Sequence, residues 1–276
     1  MSITRNPNLG PSQIRVRRRR LFLIRFLIIL FFVLVIIFTL AIFSGHEKIK
    51  VKEINVYGNA AVSADDILAI VNRDLTGRYF YLFARNDFLI FPRFQIQTDI
   101  LNEIKAVKEV DVSWNSWQKI SITVMERRPD SVWCGPDIKV VDPQCYFVDN
   151  EGYIYSLAPV FSGSMFIKGY GNISTSTSPI GQQFLTKPVY AKLLTLAGIL
   201  DQNNMKVVAM SYDGHDYRFI LEQGIEIIFN DKTDFDASFD NLLRAVQTNN
   251  LDLNKDVQKI KYIDLRFADK IVVGKK

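Results

Sequence analysis

From Phe26 to Gly45 the chain runs for 20 residues without a charge, and no polar position interrupts Phe26 to Phe38. At ~1.5 Å per helical residue this run covers the ~30 Å hydrocarbon core of a bilayer, which predicts one transmembrane helix at residues 26–45. A helix buried in a soluble core would show polar positions at the helical period. A cleaved signal peptide is the other reading, since Ala41 and Ser44 are small, but its apolar region normally runs ~7–15 residues.

Beyond the span the period changes repeatedly. Lys48 to Tyr57 reads as a strand closed by the turn pair Gly58-Asn59. Ser63 reads as a helix N-cap, with Asp66 three residues on approximating a capping box, and Ile67, Leu68 and Val71 predict a helix over Ala64 to Asn72. A loop rich in aromatics follows (Tyr79, Phe80, Tyr81, Phe83, Phe88, Phe91, Phe94), and Thr98 reads as the cap of a short helix through Ile104. Val110, Val112 and Trp114, then Ile120, Ile122 and Val124 after Asn115-Ser116, predict a β-hairpin with one buried face. Arg127-Arg128-Pro129 ends it, because proline limits further strand pairing, and a separable domain is expected over residues 47–126.

In residues 127–276 the pattern predicts a larger mixed β domain with two helices. Lys187 to Asp201 is a helix with Val189, Leu193, Leu196 and Leu200 at helical spacing and Pro188 near its start, where a missing N–H does no harm. Short strands are expected over Lys206 to Tyr212, Tyr217 to Glu222 and Ile225 to Phe229, a helix from Asp234 to about Thr248, and closing strands over Ile260 to Phe267 and Ile271 to Val273.

Charge fixes an expected orientation. Of the 34 basic residues, seven arginines precede Glu47, the first acid, which leaves 27 basic against 29 acidic residues in the remainder. A nucleic-acid-binding domain carries its surplus on the folded part, so no nucleic-acid partner is expected. The flanking Arg17 to Arg20 and Arg25 place residues 1–25 in the cytoplasm as a basic tail and the folded region outside, by the positive-inside rule.

The run Ile54-Asn-Val-Tyr-Gly-Asn59 with Val62-Ser63, the hairpin closing on Val124-Met-Glu-Arg-Arg-Pro129, and Ile263-Asp-Leu-Arg-Phe267 resemble the FtsQ/DivIB family of bacterial cell-division proteins. Cys145 to Gly152 followed by Tyr153 to Tyr155 is similar to the family's strand, Asp-containing turn and returning strand. The likeness covers about Arg15 to Val273. It departs in the insertion Tyr79 to Gln97 and in the loop Ser174 to Ser178. The resemblance implies an α+β fold class: a single transmembrane helix, a POTRA domain (strand-helix-helix-strand-strand), and a family-type β domain. It further implies a single-pass protein of the bacterial cell inner (cytoplasmic) membrane, at the division septum. There it would be a non-enzymatic divisome scaffold that holds FtsB/DivIC-like and FtsL-like membrane proteins and couples them to septal peptidoglycan synthesis.

Candidate chemistry is sparse. His215 lies in the turn Asp213-Gly-His-Asp216, His46 sits at the membrane edge, and no Cys/His set has zinc spacing. No phosphate loop or Gly-x-Ser-x-Gly turn is present, so no catalytic residue, metal or cofactor is expected. The rival reading is a membrane-anchored glycosyltransferase-like enzyme with Asp234 and Asp236 on a divalent metal, against helix capping at the same residues. A POTRA-containing adaptor of an export machinery is a further alternative. Cys134 and Cys145 fit either closure across one loop or a pair of free buried thiols.

In Tyr262 to Phe267, period-two alternation places Ile263, Leu265 and Phe267 on a buried face and leaves Asp264 and Arg266 as a charged pair near water. A final strand often forms a sheet edge, open to β-augmentation. The resemblance implies partner binding there, at Asp264, Arg266, Phe267, Ala268, Asp269, Lys270, Ile271, Val272 and Val273, with Arg266 meeting a partner carboxylate and Phe267 turned outward as an anchor.

Overall fold

The computed structural model describes residues 11–116, 118–139, 143–161, 163–173, 178–232, 234–248, 259–267 and 270–276. The chain divides into two compact units, one of Met1–Glu103 with Glu109–Met125 and the other of Ile104–Lys108 with Glu126–Lys276.

The first unit opens with α1 (Pro11–Ser44), one uninterrupted helix whose segment Arg18–Ser44 is long and apolar enough to cross a membrane. Where a continuous strand from Lys48 is expected, a single 3-10 turn (Glu47–Ile49) intervenes, because the His46 ring accepts the Lys48 N–H at 3.3 Å. Strand β1 is therefore only Glu53–Tyr57. Gly58 ends it at φ +82°, where a side chain would also run into the Val124 carbonyl.

Helix α2 (Ala64–Leu75) begins at Ser63, whose hydroxyl accepts the Asp65 N–H, and it runs one turn beyond the expected end because Ile70, Val71 and Leu75 extend the buried stripe. The aromatic segment then folds as two short strands, β2 (Arg78–Tyr79) and β3 (Phe83–Ala84), paired as a hairpin. Helix α3 (Arg93–Glu103) starts five residues before Thr98, which is no cap: its hydroxyl donates to the Phe94 carbonyl one turn back. Pro92, just ahead of the helix, is the stronger start signal.

Strands β4 (Val107–Ser116) and β5 (Lys119–Glu126) complete a three-stranded sheet of order β1-β5-β4, with β1 parallel to β5. Ile67, Ile96, Ile100, Val112, Ile120 and Ile122 are its sealed core. Trp114, expected on the buried face, is 61% exposed and meets the edge of Phe88 instead.

The second unit adds β6 (Ser131–Trp133), β7 (Tyr146–Val148), β8 (Ile154–Leu157), β9 (Ile167–Gly171), α4 (Lys187–Gln202), β10 (Val207–Tyr212), β11 (Asp216–Leu221), β12 (Glu226–Asn230), α5 (Phe235–Gln247), β13 (Ile260–Asp264) and β14 (Val272–Lys275). The strands form one sheet of order β14-β13-β12-β11-β10-β9-β6-β7-β8. Alternation sorts its two faces. Tyr217, Phe219 and Leu221 of β11 join Leu193, Leu196 and Leu200 of α4 and Phe239 and Leu242 of α5, while Ile220 points into a smaller cluster with Val132, Cys134, Tyr170 and Ala209. Phe219, Phe229 and Phe239 stack edge to face, and fully burying one such ring is worth about 1.5–3 kcal/mol.

Candidate partner-binding edge

The last two strands determine what the sheet offers. Strand β13 pairs in parallel with β12 on one side (Ile227 opposite Ile263) and antiparallel with β14 on the other (Ile263 opposite Val273). The expected edge strand Tyr262 to Phe267 is therefore interior up to Asp264, and the outer rim is β14. Among the described residues nothing pairs with its far side. Gly274 stands opposite Tyr262, whose ring occupies the space a β-carbon at 274 would need, so an aromatic lid lies flat across the strand pair.

The N–H groups of β14 can be assigned. Lys276 donates to the Lys259 carbonyl at 2.8 Å, and alternate residues of a strand point the same way. Gly274 and Val272 then face β13, whereas Val273 and Lys275 present their N–H groups outward.

Asp264 is 5% exposed, not near water as its alternation suggests. Arg266 makes that burial tolerable: Nε donates to Asp264 Oδ1 at 2.9 Å, Nη2 to Oδ2 at 2.6 Å, and Nη1 reaches Asp216 Oδ2 of β11 at 2.8 Å. The guanidinium thus ties the end of β13 to the start of β11 and already faces two carboxylates of its own chain. Phe267 leaves the strand and is 47% exposed, with the Lys270 ammonium 5.3 Å from its ring centre. Ile271 and Val273 pack partly against the main core. Ala268 and Asp269 lie outside the described residues. Asp216 carried no signal in the sequence, since only the fold brings residues 216 and 266 together.

The Arg266 hydrogen bonds hold the Asp264 carboxyl below the usual carboxylate range. A lowered native value contributes stability above the unfolded value of ~3.9, lost as pH falls through the native one. Asp264→Asn should therefore cost about 1.5–3 kcal/mol at pH 7, as for a hydrogen bond to a charged group. Its deficit against the parent should shrink steadily in urea titrations carried below pH 4; a deficit independent of pH would refute the ion-pair account.

The other candidate residues are dispersed. Asp234 caps α5, its Oδ1 accepting the Asp236 and Ala237 N–H groups at 3.0 and 3.2 Å, and Asp236 pairs with Lys192 at 2.8 Å. His215 is an exposed turn residue whose backbone N–H donates to Asp213. Among the described residues no group of three or more His, Cys, Asp or Glu is placed to hold a metal. Cys134 and Cys145 form a disulfide between the end of β6 and the start of β7. The chain matches no protein-family model and no curated protein.

Proposed function

We propose that this chain is a non-enzymatic scaffold of the FtsQ/DivIB type, a single-pass protein that captures small FtsB/DivIC-like and FtsL-like membrane proteins in the bacterial divisome. On this reading α1 spans the cytoplasmic membrane with the arginine-flanked end inside. The part of the first unit that follows α1 is then the POTRA domain, its strand-helix-helix-strand-strand order interrupted by the β2–β3 hairpin, and the second unit holds the partners. The disulfide suits an oxidising compartment outside the cytoplasm.

The observation that carries the proposal is the outer rim of β14, with which nothing pairs among the described residues, together with an exposed Phe267. An extended partner segment adding to that rim would bond the outward N–H groups of Val273 and Lys275 and seat an apolar side chain against Phe267. Val273→Pro removes an outward donor without touching the β13 ladder, whereas Val272→Pro breaks a bond inside the sheet. Affinity purification of the tagged protein from bacterial membranes should recover a small single-pass partner, with Val273→Pro and Phe267→Ala each reducing recovery severalfold at unchanged melting temperature. Full recovery with both folded variants would remove the rim as the site.

A further inference from the structure

The insertion Tyr79 to Gln97 has no role in that scheme, yet among the described residues it carries the most exposed aromatic pair outside α1. Phe80 is 88% exposed and Tyr81 is 94% exposed, at the tip of the β2–β3 hairpin. The turn is closed by the Leu82 N–H on the Tyr79 carbonyl at 2.9 Å, with φ of +48° at Phe80 and +63° at Tyr81. Two central residues with positive φ are the signature of a turn that Asn-Gly fills at no steric cost, and bulky aromatics there work against local preference. A sequence that breaks the turn rule and also leaves both rings in water gains nothing for folding from them, which is the mark of a functional position.

The hairpin's place in the unit says what would cover the rings. Strand β3 packs on the end of α1, and the Ala84 N–H donates to the Ser44 hydroxyl at 3.0 Å. In Arg18–Ser44 only Ser44 and Ala41 are not exposed, and they lie three residues apart on one face, so the hairpin covers the last turn of the apolar helix. Ile42 and Phe43 of that same turn remain 62% and 64% exposed. The hairpin thus sits at the depth where the apolar run of α1 ends. At that level a bilayer passes from hydrocarbon to headgroups, and aromatic side chains are enriched there. Arg78, at the hairpin base, and Arg85, stacked on the Tyr79 ring, supply cations suited to lipid phosphates.

We propose that the β2–β3 hairpin is a membrane-surface anchor, with Phe80 and Tyr81 seated in the interfacial layer of the leaflet from which α1 emerges. The proposal rests on α1 being a span. Its consequence is positional: a second attachment beside α1 would restrict rotation of the first unit about the helix axis.

The test uses the full chain reconstituted in vesicles of phosphatidylcholine and phosphatidylglycerol. Phe38→Cys and Tyr81→Cys are labelled one at a time with an environment-sensitive fluorophore, and the parent protein, whose two cysteines are bonded, serves as the blank. Lipids carrying a doxyl quencher near the headgroup end of the acyl chain are then introduced. The anchor requires a blue-shifted label at 81 that the lipid quencher reaches. Quenching at 38 without quenching at 81 overturns the anchor and leaves the span intact. No quenching at 38 overturns the span itself and the anchor with it. A blue shift at 81 without lipid quenching assigns the rings to a protein surface, such as a second copy, and also overturns the proposal.

Discussion

Replacing Arg127 by methionine should lower the unfolding free energy of the second unit by about 3–5 kcal/mol, the usual cost of stripping one partner from a buried ion pair. Asp149 is 1% exposed. Its Oδ1 is satisfied locally, accepting the N–H groups of Glu151 at 2.8 Å and Tyr153 at 3.1 Å in the turn between β7 and β8. Its Oδ2 depends on the Arg127 guanidinium, which also donates from Nε to the Lys105 carbonyl at 3.2 Å and lies over the Tyr153 ring at 4.1 Å. Methionine keeps much of the packing against that ring but leaves a carboxylate with no counter-charge. Asp130 compounds the loss: its carboxyl is already pushed up, first by burial and then by Asp149. Without the arginine these two acids repel one another with less compensation.

The double variant Arg127→Met/Asp149→Asn should recover a large part of the loss, because residues in one ion pair couple non-additively. Denaturant titration of the parent, both single variants and the double variant closes the cycle. A single-variant loss under about 1 kcal/mol would reduce the pair to the worth of a surface salt bridge.

The same arginine illustrates what the sequence conveys and what it withholds. Arg127-Arg128-Pro129 reads as punctuation at a domain end, on local grounds alone. That Arg127 neutralises a buried acid 22 residues away depends on the β6–β7 pairing, for which local pattern carries no code. Helices α2, α4 and α5 were legible because each states its start chemically, through Ser63, Pro188 and Asp234, and then repeats apolar residues at helical spacing. Strands β6 and β9 were not. The first has three residues and the second contains Gly169 and Gly171, so neither is long enough or β-prone enough to show a period.

At the candidate edge, alternation correctly buries Ile263 and Leu265. It misassigns the rim, because period two tells which face a residue occupies and nothing about which strand lies outermost. Ile271 to Val273 reads as a closing strand in sequence, but only its pairing with β13, with Tyr262 opposite Gly274, makes that strand the rim. The buried Asp264 escaped for a related reason, since one of the carboxylates sharing its arginine comes from β11, 50 residues distant from Arg266.

Cys134→Ser/Cys145→Ser should destabilise the second unit by about 3 kcal/mol, the chain-entropy value for a closed loop of roughly a dozen residues. The two cysteines are 11 apart in sequence and follow directly on the antiparallel pair Trp133 and Tyr146, so the bridge extends the β6–β7 ladder by one position. The surrounding bonds do not need it. Cys134 N–H donates to the Gly169 carbonyl at 2.9 Å, and the Cys145 carbonyl accepts from Ala158 at 3.0 Å, so the double-serine protein should still fold. The effect lies chiefly in the unfolded chain, which regains the freedom the covalent loop had removed.

For a unit of about 150 residues a loss of 3 kcal/mol corresponds to a fall of roughly 6–12 °C in melting temperature. Reductant should produce a similar fall in the parent and none in the double-serine variant, a contrast that separates bridge cleavage from any other action of the thiol reagent. Mass spectrometry after alkylation without reductant supplies the independent check. Two modified cysteines in the folded parent would show that the bridge is absent, and an unchanged melting temperature in the variant would show that it contributes nothing.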